Sequence, residues 1–278
     1  MTVASQPLFV VGPGYCATAL AAIWAGPVTA TVREMGRVSD VRAKGMQPVP
    51  VADTKRIAEA CAGAHILISA PPGENGCPAL ALIGAAAADA SSVTYLSTTG
   101  VYGDLGGGWA FEWSPVNPGT DRARRRVDAE EAWRALRADL RIVRLPGIYG
   151  PGRSALDRVR AGTAQRVIKP GQVFSRAHVD DIATALKALM LSGPGGVFHV
   201  CDEEAAPPQD VIARAAELLG APLPPDIDFK SAELSAMARS FYSECKRVSN
   251  ARLKAATGWR PAYPTFREGL ADILAKEG

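Results

Sequence analysis

A short glycine-containing turn near the start constrains the fold of this chain more than any other feature. The apolar run Leu8–Val11 leads into Gly12-Pro13-Gly14, and an alanine-rich segment over residues 15–25 follows directly. The pattern is G-x-G-x-x-A, with Ala17 in the last position. A strand, a tight glycine turn and a helix in this order are typical of the first unit of a dinucleotide-binding α/β fold.

Short apolar runs then alternate with helical segments through the first half of the chain. The pattern predicts strands over residues 8–11, 28–32, 48–51, 65–69, 93–97 and 141–145. It predicts helices over residues 15–25, 54–62, 78–90 and 122–137. Continuous apolar strands separated by helices indicate a parallel sheet covered on both faces. We therefore predict an α/β fold, a Rossmann-type doubly wound parallel sheet with a small C-terminal substrate lobe.

The second half is less regular. Helices are predicted over residues 156–161, 179–190, 208–219, 250–257 and 265–276, with an edge strand over residues 196–200. We predict two units. Residues 1–150 form the NAD(P)-binding Rossmann core, and residues 151–278 form mainly the substrate lobe, with residues 176–202 returning to the core.

Composition excludes several classes of protein. The net charge is only +3 and aromatic residues make up 6%, which argues against nucleic acid or a membrane surface as a partner. Five scattered cysteines without a C-x-x-C pair, and three isolated histidines, predict neither a disulfide framework nor a metal site. The first residues lack a basic region before an apolar one, so no signal peptide is expected. These features favour a cytoplasmic protein that binds a small molecule.

The residues of the glycine turn have distinct expected roles. Gly12 permits the tight turn, and Gly14 lets the backbone approach a pyrophosphate. Tyr15, Cys16 and Ala17 begin the helix, whose free amide groups favour phosphate, and Ala17 is small enough for close packing. The alternative is a turn with a purely structural role.

Cofactor choice is expected at the end of the second strand. Arg33 lies 21 residues after Gly12, where an acidic residue would bind a ribose 2′-hydroxyl, although Glu34 is adjacent. Arg33, helped by Arg37, suits a 2′-phosphate. We therefore predict NADP in preference to NAD; the alternative is a solvated surface arginine.

Four further motifs carry a resemblance to a known group of enzymes. They are Ser97-Thr98-Thr99-Gly100-Val101-Tyr102-Gly103, the segment Glu112-Trp113-Ser114-Pro115, the segment Arg144-Leu145-Pro146-Gly147-Ile148-Tyr149-Gly150 and the segment His178-Val179-Asp180-Asp181. In this order they resemble the extended short-chain dehydrogenase/reductase superfamily, the NAD-dependent epimerases and dehydratases. The resemblance covers nearly the whole chain.

The resemblance implies catalytic roles and also shows a departure. It places the catalytic hydroxyl at Thr98, whose alternative role is to cap the strand end. Thr99 and Gly100 stand where dehydratases carry Asp-Glu, which argues against sugar dehydration as the activity of this chain. The superfamily's Tyr-x-x-x-Lys pair, aligned on Glu130, falls on Arg122 and Arg126.

The two arginines point to an atypical branch that lacks the Tyr-Lys pair. Arg126 can still bind the nicotinamide ribose and supply positive charge, whereas Arg122 cannot transfer a proton as tyrosine does. The alternative is a solvated basic face with an Arg126–Glu130 pair at i,i+4 spacing.

Other segments are expected around the cofactor and substrate. By resemblance, Ala70, Pro71 and Pro72 pass close to the cofactor, and Pro146, Gly147 and Ile148 border the nicotinamide. The loop over residues 106–113 carries three aromatic residues and is expected either as a lid or as a hydrophobic anchor. His178 and Asp180 are expected to begin a helix, and Lys246, Arg247 and Asn250 are candidates for binding an anionic substrate group.

Two functions are compatible with these residues. The first is an NAD(P)-dependent oxidoreductase or epimerase acting on a small carbonyl or alcohol, with Thr98, Arg122 and Arg126 in the catalytic site. The alternative is a catalytically silent NAD(P)-binding sensor or regulatory protein. The resemblance further implies a homodimer formed through the helices that contain Arg122 and Pro78.

Overall fold

The computed structural model describes residues 6–277 and has a seven-stranded parallel sheet at its centre. The strands of the chain are β1 Leu8–Val11, β2 Val28–Val32, β3 Gln47–Pro50, β4 His65–Ile68, β5 Ser92–Thr98, β6 Trp109–Ala110, β7 Arg141–Leu145, β8 Gly147–Tyr149, β9 Arg166–Ile168, β10 Arg176–His178, β11 Gly196–His199, β12 Asp226–Asp228 and β13 Arg247–Val248. The helices are α1 Tyr15–Ile23, α2 Val38–Ala43, α3 Thr54–Cys61, α4 Pro78–Ile83, α5 Asp121–Leu136, α6 Ala155–Arg160, α7 Val179–Ser192, α8 Pro208–Leu218, α9 Ala236–Tyr242, α10 Ala251–Thr257 and α11 Phe266–Glu277.

The strand order of the central sheet is β3-β2-β1-β4-β5-β7-β11, and every neighbouring pair is parallel. The chain winds outward from β1 in one direction and, from β4, in the other. In such sheets ligands bind at the carboxyl ends of the strands where the order reverses. The predicted Rossmann-type fold class is confirmed.

Helices cover both faces of this sheet. On one face, Leu20 of α1, Leu186 of α7 and Leu253 of α10 belong to a single buried cluster. On the other face, Ile57 of α3 and Trp133 of α5 are fully buried against the strands. The continuous apolar strands are thus buried on both sides, as their lack of alternation predicts.

Residues after β8 supply both a separate small core and parts of the sheet layer. Leu156 of α6, Ile212 of α8 and Phe266 of α11 form their own buried cluster. The strand β11 joins the edge of the central sheet, and α7 and α10 pack on it. The division at residue 150 stays a prediction.

The structure differs from the sequence-based prediction in several elements. The predicted helix over residues 78–90 ends at Ile83 and resumes as the 3-10 turn Ala86–Asp89, at a point where Leu136 packs against Gly84. The short strands of three small parallel pairs, β8 with β10, β9 with β12 and β6 with β13, were not predicted. Strands of two or three residues carry no detectable periodicity.

The described residues lack membrane-spanning helices and clustered metal-ligand side chains. Over residues 6–277, none of the helices has the length and apolar character needed to cross a membrane. The same residues contain no group of three or more His, Cys, Asp or Glu side chains arranged to hold a metal ion.

Candidate active site

The glycine turn packs directly against the end of β4. Gly12 has φ +85°, and its amide donates a hydrogen bond to Thr31 Oγ1 at 3.1 Å. A Cβ at Gly12 would lie 2.8 Å from the backbone nitrogen of Ala70. Both the backbone angle and the contact therefore require glycine at this position.

The start of α1 leaves its amide groups open. Gly14 is the capping residue and offers no side chain to them, and the first turn contains no acidic residue. Unpaired amides and the positive end of the helix dipole make this end suitable for phosphate groups. The side chains of Cys16 and Ala17 are buried in the core, so only their backbone faces the turn. Burial raises the pKa of the Cys16 thiol to about 11.

Tyr15 ties the glycine turn to the loop that follows β8. Its hydroxyl donates a hydrogen bond to the carbonyl oxygen of Pro151 at 2.9 Å. The Arg153 guanidinium lies over its ring at 5.9 Å from the centroid. Burial raises the pKa of the Tyr15 phenol to about 12, so it stays neutral at physiological pH.

A first cleft of about 560 Å³ opens at the carboxyl ends of β1, β2 and β4. Several predicted cofactor-binding residues line it, namely Gly12, Gly14, Arg33, Ala70 and Pro71, together with Glu34 and Arg37. Pro72, which follows them, is not among the lining residues. Arg33 and Glu34 are exposed, and Arg37 lies 3.7 Å from Asp40.

A second cleft of about 500 Å³ lies at the carboxyl ends of β5 and β7. Five predicted site residues line it: Thr98, Arg122, Pro146, Gly147 and Ile148. Because β4 and β5 are neighbouring strands, the two clefts open on the same edge of the sheet.

Thr98 both caps the end of β5 and faces the second cleft. Its Oγ1 accepts a hydrogen bond from the amide of Gly100 at 3.1 Å. The structure therefore shows the capping role that the sequence offered as the alternative for Thr98. Since the oxygen is the acceptor in this bond, the hydroxyl hydrogen is available to donate into the cleft.

The two arginines that the resemblance assigns to the Tyr and Lys positions lie in different surroundings. Arg122 lines the second cleft, and its guanidinium lies over the Phe241 ring at 5.3 Å from the centroid. Arg126 lines neither cleft. Its Nη1 donates hydrogen bonds to the Leu96 carbonyl oxygen at 2.6 Å and to Tyr95 Oη at 3.2 Å.

The i,i+4 pair considered for Arg126 is wrong, because Glu130 is held by another arginine. Glu130 is buried and accepts two hydrogen bonds from Arg144, at 3.0 and 2.6 Å. Ser97 donates a third to the same carboxylate at 2.6 Å. The tertiary structure turns Arg126 toward the strand, where a carbonyl oxygen is available.

The Glu130–Arg144 pair belongs to a buried polar network that sequence reasoning missed. Arg144 also donates to Tyr102 Oη at 2.8 Å, and that oxygen lies 2.6 Å from His199 Nε2. Burial lowers the pKa of His199 to about 3, so its imidazole is neutral. An arginine inside a buried apolar strand was the signal in the sequence, because such a charge needs a partner.

Other predicted residues are placed as follows. His178 accepts a hydrogen bond from the Asp180 amide at 3.2 Å and begins α7, as expected. Lys246 lines the second cleft, while Asn250 is buried and donates to the Cys201 carbonyl oxygen at 2.8 Å. Arg247 donates to the Gly107 carbonyl oxygen.

The aromatic loop forms a stack of its own. Phe111 and Trp113 stack with ring centroids 5.0 Å apart, and Trp109 lies 6.5 Å from Phe111. None of the three rings is among the lining residues of the two clefts. The structure thus provides no contact between these rings and the predicted site.

The second cleft also contains residues that sequence reasoning did not select. They are Arg153, Arg158, Phe174, Arg176, Val211, Ile212 and Tyr242. All follow residue 150, where the alternation of strands and helices is lost. Arg176 begins the segment Arg176-Ala177-His178-Val179-Asp180-Asp181 that carries part of the resemblance, but it was given no role of its own.

Comparison with known proteins identifies relatives of very different closeness. No protein-family model matches the chain. A conserved protein of unknown function from Silicibacter pomeroyi is 45% identical, with 98% of this chain and 99% of that chain covered and a TM-score of 0.90.

A curated relative matches only in part. It is a 3-diazoavenalumate denitrifying reductase from a Streptomyces species, 33% identical over 140 residues. The match spans 46% of this chain and 45% of the length of that enzyme.

More distant solved structures share the fold. The NAD complex of dTDP-glucose 4,6-dehydratase from Bacillus anthracis is 16% identical, covers 97% of this chain and 96% of its own, and has a TM-score of 0.76. The human epimerase family protein SDR39U1 with NADPH is 17% identical, covers 97% of this chain and 99% of its own, and has a TM-score of 0.75.

Proposed function

Because the chain belongs to the same family as the conserved Silicibacter pomeroyi protein and has the fold of NAD-dependent epimerases and dehydratases, we propose that it is an NAD(P)-dependent oxidoreductase or epimerase. In this proposal it represents an atypical branch of the extended short-chain dehydrogenases/reductases. The substrate is a small carbonyl or alcohol compound.

The position of the two clefts on one edge of the sheet supports this function most directly. The glycine turn lines the first cleft and the Thr98 hydroxyl lines the second, and both clefts open on the same edge of the sheet. A dinucleotide bound across the turn can therefore direct one end toward β2 and the other toward Thr98.

The residues present fit a nicotinamide dinucleotide. The cradle at Gly12 has no room for a Cβ, and the amides at the start of α1 are free for the pyrophosphate. Arg33 and Arg37 would hold the adenosine end, while Pro146, Gly147 and Ile148 would border the nicotinamide. The exposed guanidinium of Arg33 supports a preference for NADP, because its planar fork matches a phosphate.

When bound, a nicotinamide cofactor would supply the acceptor or donor of hydride. The Thr98 hydroxyl donates a hydrogen bond to the substrate oxygen and orients it. Arg122 adds positive charge to the wall of the cleft, and water supplies the proton because a guanidinium stays protonated at neutral pH. A role of Arg126 in the cofactor site would require its guanidinium to leave the Leu96 carbonyl oxygen.

The hydrogen bond from Arg126 to the Leu96 carbonyl oxygen favours a second candidate function. Arg126 donates to Leu96 and Tyr95, and Arg122 lies over Phe241, so neither arginine provides an acid/base group. A protein with this arrangement is also suited to bind NAD(P) without turnover, as a sensor or regulatory protein.

Binding and turnover measurements test the two functions separately. Isothermal titration should show NADPH binding more tightly than NADH, and Arg33→Ala should weaken NADPH about tenfold while leaving NADH unchanged. Arg42→Ala, an exposed arginine on α2, is the control. Equal affinities for the two cofactors and no effect of Arg33→Ala would refute the NADP preference.

A screen of carbonyl compounds, followed by nicotinamide absorbance, then tests catalysis. Thr98→Ala should lower kcat at least tenfold with NADPH binding unchanged, and Thr98→Ser should restore most of the activity. Tight NADPH binding with no turnover of any compound would favour the sensor.

Location and assembly complete the proposal. The cysteines Cys16, Cys61, Cys77, Cys201 and Cys245 are all free in the structure, which supports a location in the reducing cytoplasm. We further propose a homodimer and a small molecule as the ligand, with neither nucleic acid nor membrane as a partner.

A further inference from the structure

The second cleft has an excess of positive charge. Its charged lining residues are Arg122, Arg153, Arg158, Arg176, Lys246 and Glu244. The one carboxylate of this group, Glu244, lies 2.5 Å from the Lys246 ammonium and is paired with it. Within residues 6–277, the lining of the cleft therefore contains no negative charge that could balance its four guanidinium groups.

Arg158 of α6 is the least compensated of these cations. Among residues 6–277 its guanidinium forms no ion pair and no hydrogen bond, in contrast to Arg160 on the same helix, which pairs with Glu277 at 2.6 Å. Its side chain is exposed, yet desolvation lowers the pKa of Arg158. A side chain that is accessible to solvent and yet partly desolvated is expected on the wall of a concave site.

Arg176 of β10 is held in place by neutral groups. Its Nη1 donates hydrogen bonds to the carbonyl oxygens of Phe174 and Ala206, at 2.8 and 3.1 Å. Two acids favour its charged form, Asp202 and Glu204, and burial raises the pKa of Asp202 to about 8. Glu204 is itself paired with Arg267 at 3.1 Å. A carboxyl whose pKa is raised by burial balances the charge of Arg176 less fully than an ordinary carboxylate does.

The remaining wall of the cleft is apolar. Phe174 and Tyr242 pack edge to face with centroids 5.5 Å apart, and Val211 and Ile212 of α8 lie in the same lining. Phe241 of α9 adds a ring that is 49% exposed. An apolar wall with few well-placed polar groups is the usual lining of a small-molecule site.

We propose that the second cleft binds a substrate with an apolar body and one anionic oxyacid group, and that Arg158 and Arg176 bind that group. The placement of the reacting oxygen at Thr98 rests on the proposed function. The anion site itself does not, because it depends only on the charges and contacts of this cleft. Carboxylate and phosphate both match a planar guanidinium fork, so either group fits.

Three probes of one shape test this inference. They are 4-phenylbutyrate, 4-phenylbutyl phosphate and 4-phenylbutanol, titrated calorimetrically into the full chain with and without NADPH. At least one anion should bind tenfold or more tightly than the alcohol. The tighter of the two anions identifies carboxylate or phosphate as the natural group.

Matched variants locate the site. Arg158→Gln should reduce anion affinity at least tenfold and leave the alcohol unchanged, and Arg158→Lys should retain part of the preference. Arg160→Gln, on the same helix but paired with Glu277, should bind like the unaltered chain. Thermal unfolding of each variant verifies that it is folded, and Arg158→Lys serves as the test if Arg158→Gln is not.

Three outcomes would overturn the inference. They are equal binding of all three probes, an equal loss of all three in Arg158→Gln, and no anion binding at millimolar concentration. Anion binding without turnover of any carbonyl compound would refute the proposed enzyme but support this site. Turnover of neutral carbonyl compounds without a preference for anions would support the proposed enzyme but refute this anion site.

Discussion

At the scale of single residues, Gly12 has two separate reasons to be glycine. Its φ of +85° disfavours any residue with a Cβ, and the added Cβ would lie 2.8 Å from the Ala70 backbone. Gly45 has a similar φ of +74° but open space within 4 Å. Substitutions at Gly12 and Gly45 therefore distinguish the free-energy cost of the backbone angle from the cost of the steric contact.

We predict that Gly12→Ala destabilises the protein more than Gly45→Ala does. The Gly45 variant should lose about 1 kcal/mol of unfolding free energy, the cost of the left-handed angle alone. The Gly12 variant should lose clearly more and should also fail to bind NADPH. Chemical denaturation and titration measure both effects, and equal losses in the two variants would contradict the inferred contact.

At the scale of elements, a buried ion pair attaches α5 to the central sheet. Glu130 of α5 and Arg144 of β7 are 1% and 3% exposed, and their two hydrogen bonds connect the helix to a strand beneath it. Ser97 at the end of β5 joins the same carboxylate, so the pair also supports the strand end that carries Thr98.

Glu130→Gln should therefore be strongly destabilising. Removing one charge leaves the Arg144 guanidinium buried without its partner, which typically costs about 3–5 kcal/mol. Glu131→Gln, at the exposed neighbouring position on the same helix, should stay within about 0.5 kcal/mol of the unaltered chain. Urea denaturation compares the two, and similar stabilities would show that the pair contributes little.

At the scale of the whole molecule, stability should depend on pH through Asp202. Burial raises its pKa from 3.8 to about 8, so the folded state holds a proton that the unfolded state has released. The contribution is present below pH 4 and is lost as the pH rises through about 8. Asp181 acts in the same direction only up to about pH 6, and His199 acts in the opposite direction below 6.5.

Between pH 6.5 and 8 the unfolding free energy should accordingly fall by up to about 1.4 kcal/mol per pH unit. Asp202→Asn should remove this slope, whereas Asp128→Asn, an exposed position on α5, should keep it. Denaturation curves at four pH values across this window test the prediction. A slope that persists in Asp202→Asn would assign it to another group.

Assembly is a second property of the whole molecule. The resemblance predicts a homodimer through α4 and α5, and Leu136 at the end of α5 is 51% exposed. Leu191 on α7 is equally exposed, at 51%, but lies on another helix. In sedimentation velocity, Leu136→Lys should shift the chain toward monomer and Leu191→Lys should not. A monomeric unaltered chain would refute the dimer.

The sequence was sufficient where contacts are local or repeated along the chain. The glycine turn, the six central-sheet strands up to residue 145 and the edge strand near residue 196 were all predicted within a few residues of their observed bounds. These elements depend on apolar runs and turn residues that lie next to one another. The structure brings Gly12, Gly14 and Arg33 to the first cleft and Thr98 to the second.

Only the tertiary structure decided which distant side chains meet. It turned Arg126 onto the Leu96 carbonyl oxygen and gave Glu130 to Arg144. It also brought Arg158 and Arg176 into one cleft with Thr98. Spacing on a single helix predicts i,i+4 neighbours, but a partner on another strand depends on sheet order and packing. For that reason the sequence determined the fold and the glycine turn, and the packing determined the charge and shape of the second cleft.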